Sequence, residues 1–161
     1  MTAKNTNILS YDLYLYDPQR GTEFDGFIGA PRLDDLQCVF ASLCAFSETD
    51  NSKNISVFCA FDNEEVGSET KQGAASTFLK DTLERIAFCC GQTETGFKKM
   101  LSESFMISCD NAHAVHPNHP ELSDKKNAVY LNKGIVIKYN AYQKYTSDSV
   151  SSAMFKIICD K

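Results

Sequence analysis

Apolar and polar side chains alternate over residues 8–16, with Leu9, Tyr11, Leu13 and Leu15 on one face. A repeat of that kind predicts a strand. A loop punctuated by Pro18, Gly21, Gly26 and Gly29 follows and ends at Ala30-Pro31-Arg32. The pattern then lengthens. Over 35–47, Leu36, Val39, Phe40 and Leu43 fall on one helical face, and Asp50-Asn51-Ser52 breaks the helix. Residues 55–61 are a compact β-branched and aromatic run, predicted as a buried strand that stops abruptly at Asp62-Asn63-Glu64-Glu65. A second helix is predicted to begin between Glu69 and Gly73, with Leu79, Leu83, Ile86, Ala87 and Cys90 as its stripe. Residues 104–109 and 134–139 predict two more short strands. Between them lies a polar, proline-punctuated stretch from Asn111 to Lys133, and a loop of that length is more often functional than idle. Val150, Met154, Ile157 and Ile158 predict a closing helix. The order β-α-β-α-β-β-α, with continuous apolar inner strands, points to an α/β class: three layers, α/β/α, around a largely parallel sheet.

Composition narrows the functions available. The 161 residues are 43% hydrophobic, enough for one domain with a core. Net charge is −5 and no basic block occurs, which argues against nucleic-acid binding. No apolar run is long enough to span a bilayer, and the first residues lack the apolar core of a signal peptide. The cysteines are seven in number, without a CxxC pair, so reduced thiols in a cytoplasmic protein are expected rather than a disulfide framework or a thiolate zinc site.

Carboxylates follow element boundaries at three places: Asp34-Asp35, Asp62 to Glu65, and Asp110. In parallel α/β sheets ligands gather beyond the carboxyl ends of strands. Any one acidic loop residue is ordinarily turn chemistry or solvated charge. An adjacent Glu-Glu pair straight after an apolar strand is less ordinary, since like charges repel unless a cation or proton intervenes. His113, His116 and His119 follow at an HxxHxxH spacing, but Pro117 and Pro120 keep them off one helical face. Metal ligation and simple lining of the loop both remain open for them. There is no HExxH, GxSxG or P-loop.

Four segments, FIGAPRLDDL (27–36), FDNEEVGSETKQGAAS (61–76), MISCDNAHAVHPNH (106–119) and GIVIKYNAYQKYTSD (134–148), resemble consecutive landmarks of the aspartyl aminopeptidase family of two-metal exopeptidases. The resemblance covers the chain from about residue 8 onward. It implies a zinc-peptidase-like fold and a metal-dependent aminopeptidase that removes N-terminal residues, acidic Asp or Glu, from peptides. Residue by residue, it implies Asp34 as the carboxylate bridging two metals, Glu65 and Asp110 as further metal ligands, and Glu64 as the general base. His113, Lys138 and Tyr145 match substrate-binding positions. Lys138 suits either an acidic substrate side chain or backbone groups. His116 matches a supporting position, and His119 reads as surface. The cofactors implied are two divalent ions: zinc first, with manganese and cobalt compatible with the same ligands. The resemblance also implies a cis peptide between Asp34 and Asp35.

Family members are longer and supply histidine ligands on either side of this stretch, whereas His113 is the first histidine here and His119 the last. Residues 1–161 are therefore expected to be part of a catalytic domain, without the insert used for homo-oligomer assembly. The alternative reading is a catalytically incomplete fragment acting as a non-enzymatic interaction or assembly module.

Overall fold

The computed structural model describes residues 7–160. The chain divides into two compact units, one up to Cys109 and one from Asp110.

The first unit opens with an antiparallel hairpin, β1 (Thr22–Phe24) and β2 (Phe27–Gly29), in which Thr22 pairs with Gly29 and Phe24 with Phe27. Its turn is Asp25-Gly26, with φ of 47° and 77°. Two positive φ values make the primed turn whose twist suits a hairpin, and Asp-Gly is among the dipeptides that adopt it most readily. The turn residues of this stretch predict a loop; the structure makes it a hairpin, for which Asp25-Gly26 is the local signal.

Helix α1 spans Leu33–Glu48, as the apolar spacing predicted, although Asp34 and Asp35 at its start have non-helical dihedrals. Helices α2 (Phe78–Cys89) and α3 (Glu94–Ser102) form a helical hairpin. α2 starts later than the expected Glu69–Gly73, because residues 68–76 are committed to turns. Its end is closed by Gly91 at φ 82°, with Gln92 N donating to Ala87 O (3.0 Å) and Gly91 N to Phe88 O (2.9 Å). That pair of bonds satisfies carbonyls the helix itself leaves open and favours glycine at the left-handed position. Thr93 caps α3 by accepting from Gly96 N at 3.0 Å. Ala87 and Phe97, one from each helix, are the buried apolar residues among those described.

The second unit ends in α4 (Ser149–Cys159), again as predicted. Asp148 caps it: Ser151 N donates to Asp148 Oδ1 (2.7 Å) and Asp148 N donates to Ser151 Oγ (3.0 Å).

The predicted strands at 8–16, 55–61, 104–109 and 134–139 require correction. None carries a ladder among the described residues, and the sheet present is two-stranded and antiparallel. The fold contains both helix and sheet, and so is α/β in class, but among the described residues these four runs pair with no neighbouring strand. A strand's hydrogen bonds lie on its neighbours, so an apolar run without neighbours cannot become one. Their side chains are correspondingly uncovered: Ile55 is 77% exposed and Ile135 74%. The chain exposes 15070 Å², against about 8,000 Å² for a folded monomer of its 17.9 kDa mass. No helix among the described residues is long and apolar enough to cross a membrane.

Candidate metal centre

The acidic stretch after residue 61 folds into a loop that closes on itself. Asp62 N donates to Gln72 O (3.2 Å), Ser68 N to Asn63 O (3.0 Å) and Ala75 N to Ser68 O (3.1 Å). Inside this frame Glu64–Val66 makes one 3₁₀ turn, sealed by Gly67 N on Glu64 O at 2.9 Å. Asn63, Gly67 and Ser68 all have positive φ (62°, 98° and 61°), the region that favours glycine and tolerates asparagine. Asn63 is further held by its Nδ2 on Thr70 Oγ1 at 2.8 Å. Gly73 is buried, and a Cβ there would collide with the Ser68 carbonyl. The result presents Glu64 and Glu65 side by side and exposed. Asn63 and Gly73 were not singled out from the sequence. Their signal is an asparagine before a tight acidic turn and a glycine ten residues on.

Asp34 and Asp35 lie at the start of α1, and the peptide between them is cis, as the resemblance implies. Arg32 before them sits at φ 62° and donates from a guanidinium nitrogen to Asp17 O at 3.3 Å. Asp34 is exposed.

In the second unit, the Lys138 ammonium donates to Asp110 Oδ2 and to Asn111 O, both at 2.6 Å. Its neighbour Tyr139 donates from its hydroxyl to Oγ of the buried Ser152 in α4, also at 2.6 Å. Val115 N donates to Val129 O (2.8 Å), tying the histidine-bearing loop to the next segment. His113 is exposed and Tyr145 is 43% exposed. His116 Nδ1 accepts from Asn118 N (3.2 Å), the His116 and His119 rings lie 5.4 Å apart, and His119 Nδ1 is 3.2 Å from Glu121 Oε1. These two histidines thus organise the proline turn locally, in keeping with the loop-lining alternative.

Asp34, Glu64 and Glu65 belong to the first unit; Asp110, His113, Lys138 and Tyr145 belong to the second. Among the described residues no three His, Cys, Asp or Glu side chains are grouped to hold a metal ion. The donor chemistry nonetheless fits a divalent cation. Asp34, Glu65 and Asp110 are exposed carboxylates, a donor type that zinc accepts.

The family described as "Aminopeptidase I zinc metalloprotease (M18)" matches residues 1–161. The chain belongs to the M18 aminopeptidase family. It is 47% identical over 157 residues to a probable M18 family aminopeptidase 2 of Clostridium novyi, covering 96% of this chain and 36% of that protein. It is 37% identical over 164 residues to aspartyl aminopeptidase 1 of Schizosaccharomyces pombe, covering 96% of this chain and 34% of that one. Among solved structures, it resembles a chain in the cryo-EM structure of the Ape4 and Nbr1 complex. The TM-score is 0.69 at 38% identity, over 83% of this chain and 26% of the other. This M18 chain thus spans about a third of the length of the curated relatives it matches.

Proposed function

We propose that the natural polypeptide carrying this chain is a metal-dependent aminopeptidase acting on peptides with an acidic N-terminal residue. The observation that carries the reading is the self-closed loop that holds Glu64 and Glu65 adjacent and solvent-facing, within an M18 chain. In this reading Asp34, Glu65 and Asp110 hold two divalent ions, most simply zinc. Bound there, the metal supplies Lewis-acid polarisation of the scissile carbonyl and acidifies the attacking water. Glu64 accepts the water's proton and returns it to the leaving amine, and the 3₁₀ turn fixes the backbone that bears it. The adjacent Glu65 is then not an idle repulsive neighbour, because a cation offsets the like charges. His113, Lys138 and Tyr145 face the substrate, and Lys138 brings positive charge toward an acidic side chain. A cytoplasmic location and homo-oligomeric assembly complete the reading.

The test is hydrolysis by that polypeptide, with zinc supplied, of peptides beginning with Asp or Glu against the same peptides beginning with Ala. Glu64→Gln should lower kcat by roughly 10²–10⁴-fold. Turnover no greater than that of Glu64→Gln would overturn the reading. The exposed area favours one rival, a non-enzymatic assembly module. It predicts concentration-dependent self-association without peptide hydrolysis.

A further inference from the structure

We infer that Lys138 is a positioning residue for Asp110, fixing the carboxylate that holds a metal, in addition to any contact with substrate. The inference rests on the reading of Asp110 as a metal-holding carboxylate. The geometry shows an ammonium committed to two acceptors 27 and 28 residues away, the Asn111 carbonyl and Asp110 Oδ2, each at 2.6 Å. One bond to the carboxylate and one to the adjacent backbone together restrict both the side-chain rotation of Asp110 and the path of the chain that bears it. Charge-assisted bonds of this length are the stronger class, and carboxylates that ligate metals are commonly held by such partners.

The segment bearing Lys138 is itself anchored. Successive side chains reach different elements: Lys138 reaches the 110–111 backbone and Tyr139 reaches Ser152 of α4. The Tyr139 bond ties the segment to α4, whereas the two Lys138 bonds act on Asp110 and Asn111 directly. Two of the three ammonium donors of Lys138 are engaged by Asp110 and Asn111, so most of its hydrogen-bonding capacity is directed at the protein itself.

The experiment measures zinc affinity by chelator competition on the natural polypeptide carrying residues 1–161, with steady-state kinetics alongside. Lys138→Met should weaken zinc binding by about 10–100-fold. Lys138→Arg, which retains the cation and its donors, should recover much of that loss. Tyr139→Phe releases the same segment from α4 and reports general loosening; it should leave zinc affinity within about threefold of wild type, short of the loss expected on removing a partner that orients a ligand. In kinetics with saturating zinc, Lys138→Met should lower kcat as well as raise KM. Unchanged zinc affinity in Lys138→Met, with only a higher KM for acidic substrates, would overturn the inference and leave a pure substrate role. An equal loss of zinc affinity in Tyr139→Phe, or no recovery in Lys138→Arg, would also overturn it. Asp110→Asn separates the two levels. If it leaves zinc binding intact, the metal-holding reading of Asp110 fails and the inference with it. If it weakens zinc binding and Lys138→Met does not, only the inference fails.

Discussion

The loop from Asp62 to Ala75 and the cluster around Asp110 both present carboxylates to solvent, yet they are built in opposite ways. The loop is held by bonds between residues no more than ten apart, most of them backbone to backbone. The cluster depends on a side-chain bridge across 28 residues and on a second pin, from Tyr139 to Ser152, into α4. Closing a long connection costs more chain entropy than closing a short one, and the bridge that closes this one is itself solvated. The lesson is that the backbone bearing Glu64 and Glu65 is held by its own loop, while Asp110 takes its partner from chain 28 residues away.

The sharpest way to break the comparison is Gly73→Ala. Its Cβ would collide with the Ser68 carbonyl, so the loop must shift, at a cost of about 3 kcal/mol, the upper end for overpacking. Amide exchange at Ala75, whose N–H bonds Ser68 O, should lose protection while the Asp110 cluster is unaffected. Protection that survives would mean the loop is not held as described.

Gly91→Ala calibrates what a local signal contributes where no site is involved. At φ 82° a side chain should cost about 1–2 kcal/mol and loosen the α2–α3 hairpin, read as a lower urea midpoint. A change below a few tenths would argue that the helix end tolerates another closure.

Lys138→Met tests the other side of the comparison through stability alone. The two side chains of the bridge are 26% and 40% exposed, so solvent screening limits the loss to about 1 kcal/mol or less. Salt should weaken the wild-type bridge and leave the variant unchanged. A much larger loss would place the cluster among structural supports.

The smallest effect expected is a pH dependence at α4. Bonds from the Ser151 backbone and then its side chain hold the Asp148 carboxyl below the usual carboxylate range. A depressed carboxyl contributes stability that is fully present above its unfolded value and disappears as pH falls through the lower folded value. Helicity of α4 followed through an acid titration should therefore fall below about pH 4, and Asp148→Asn should flatten that limb. An unchanged acid limb in Asp148→Asn would assign it to other groups.

Much of this was legible from the chain itself. Leu36, Val39, Phe40 and Leu43 announced α1, and Val150, Met154, Ile157 and Ile158 announced α4. The cis Asp34–Asp35 peptide follows from the motif around it, and Asp25-Gly26 carries the local signal for a hairpin where the glycine-rich pattern predicts a loop. The strands were not legible, because the apolar run from Ile55 to Phe61 records a preference for burial and says nothing of which backbone lies beside it. The apolar stripe predicts too early a start for α2 for a related reason: the turns through Asn63, Ser68 and Gly73 outweigh helix propensity up to Thr77.

What the sequence determined by itself, then, was whatever rests on neighbours within about ten residues: helix faces and caps, the Asp-Gly turn, and the loop presenting Glu64 and Glu65. The tertiary structure alone decided that Lys138 meets Asp110, that Tyr139 reaches Ser152, and that four strand-like runs find no ladder among the described residues. The physical reason is that helices and turns satisfy their backbone bonds internally, whereas strands and ion pairs take their partners from chain far away, and no local pattern names that partner.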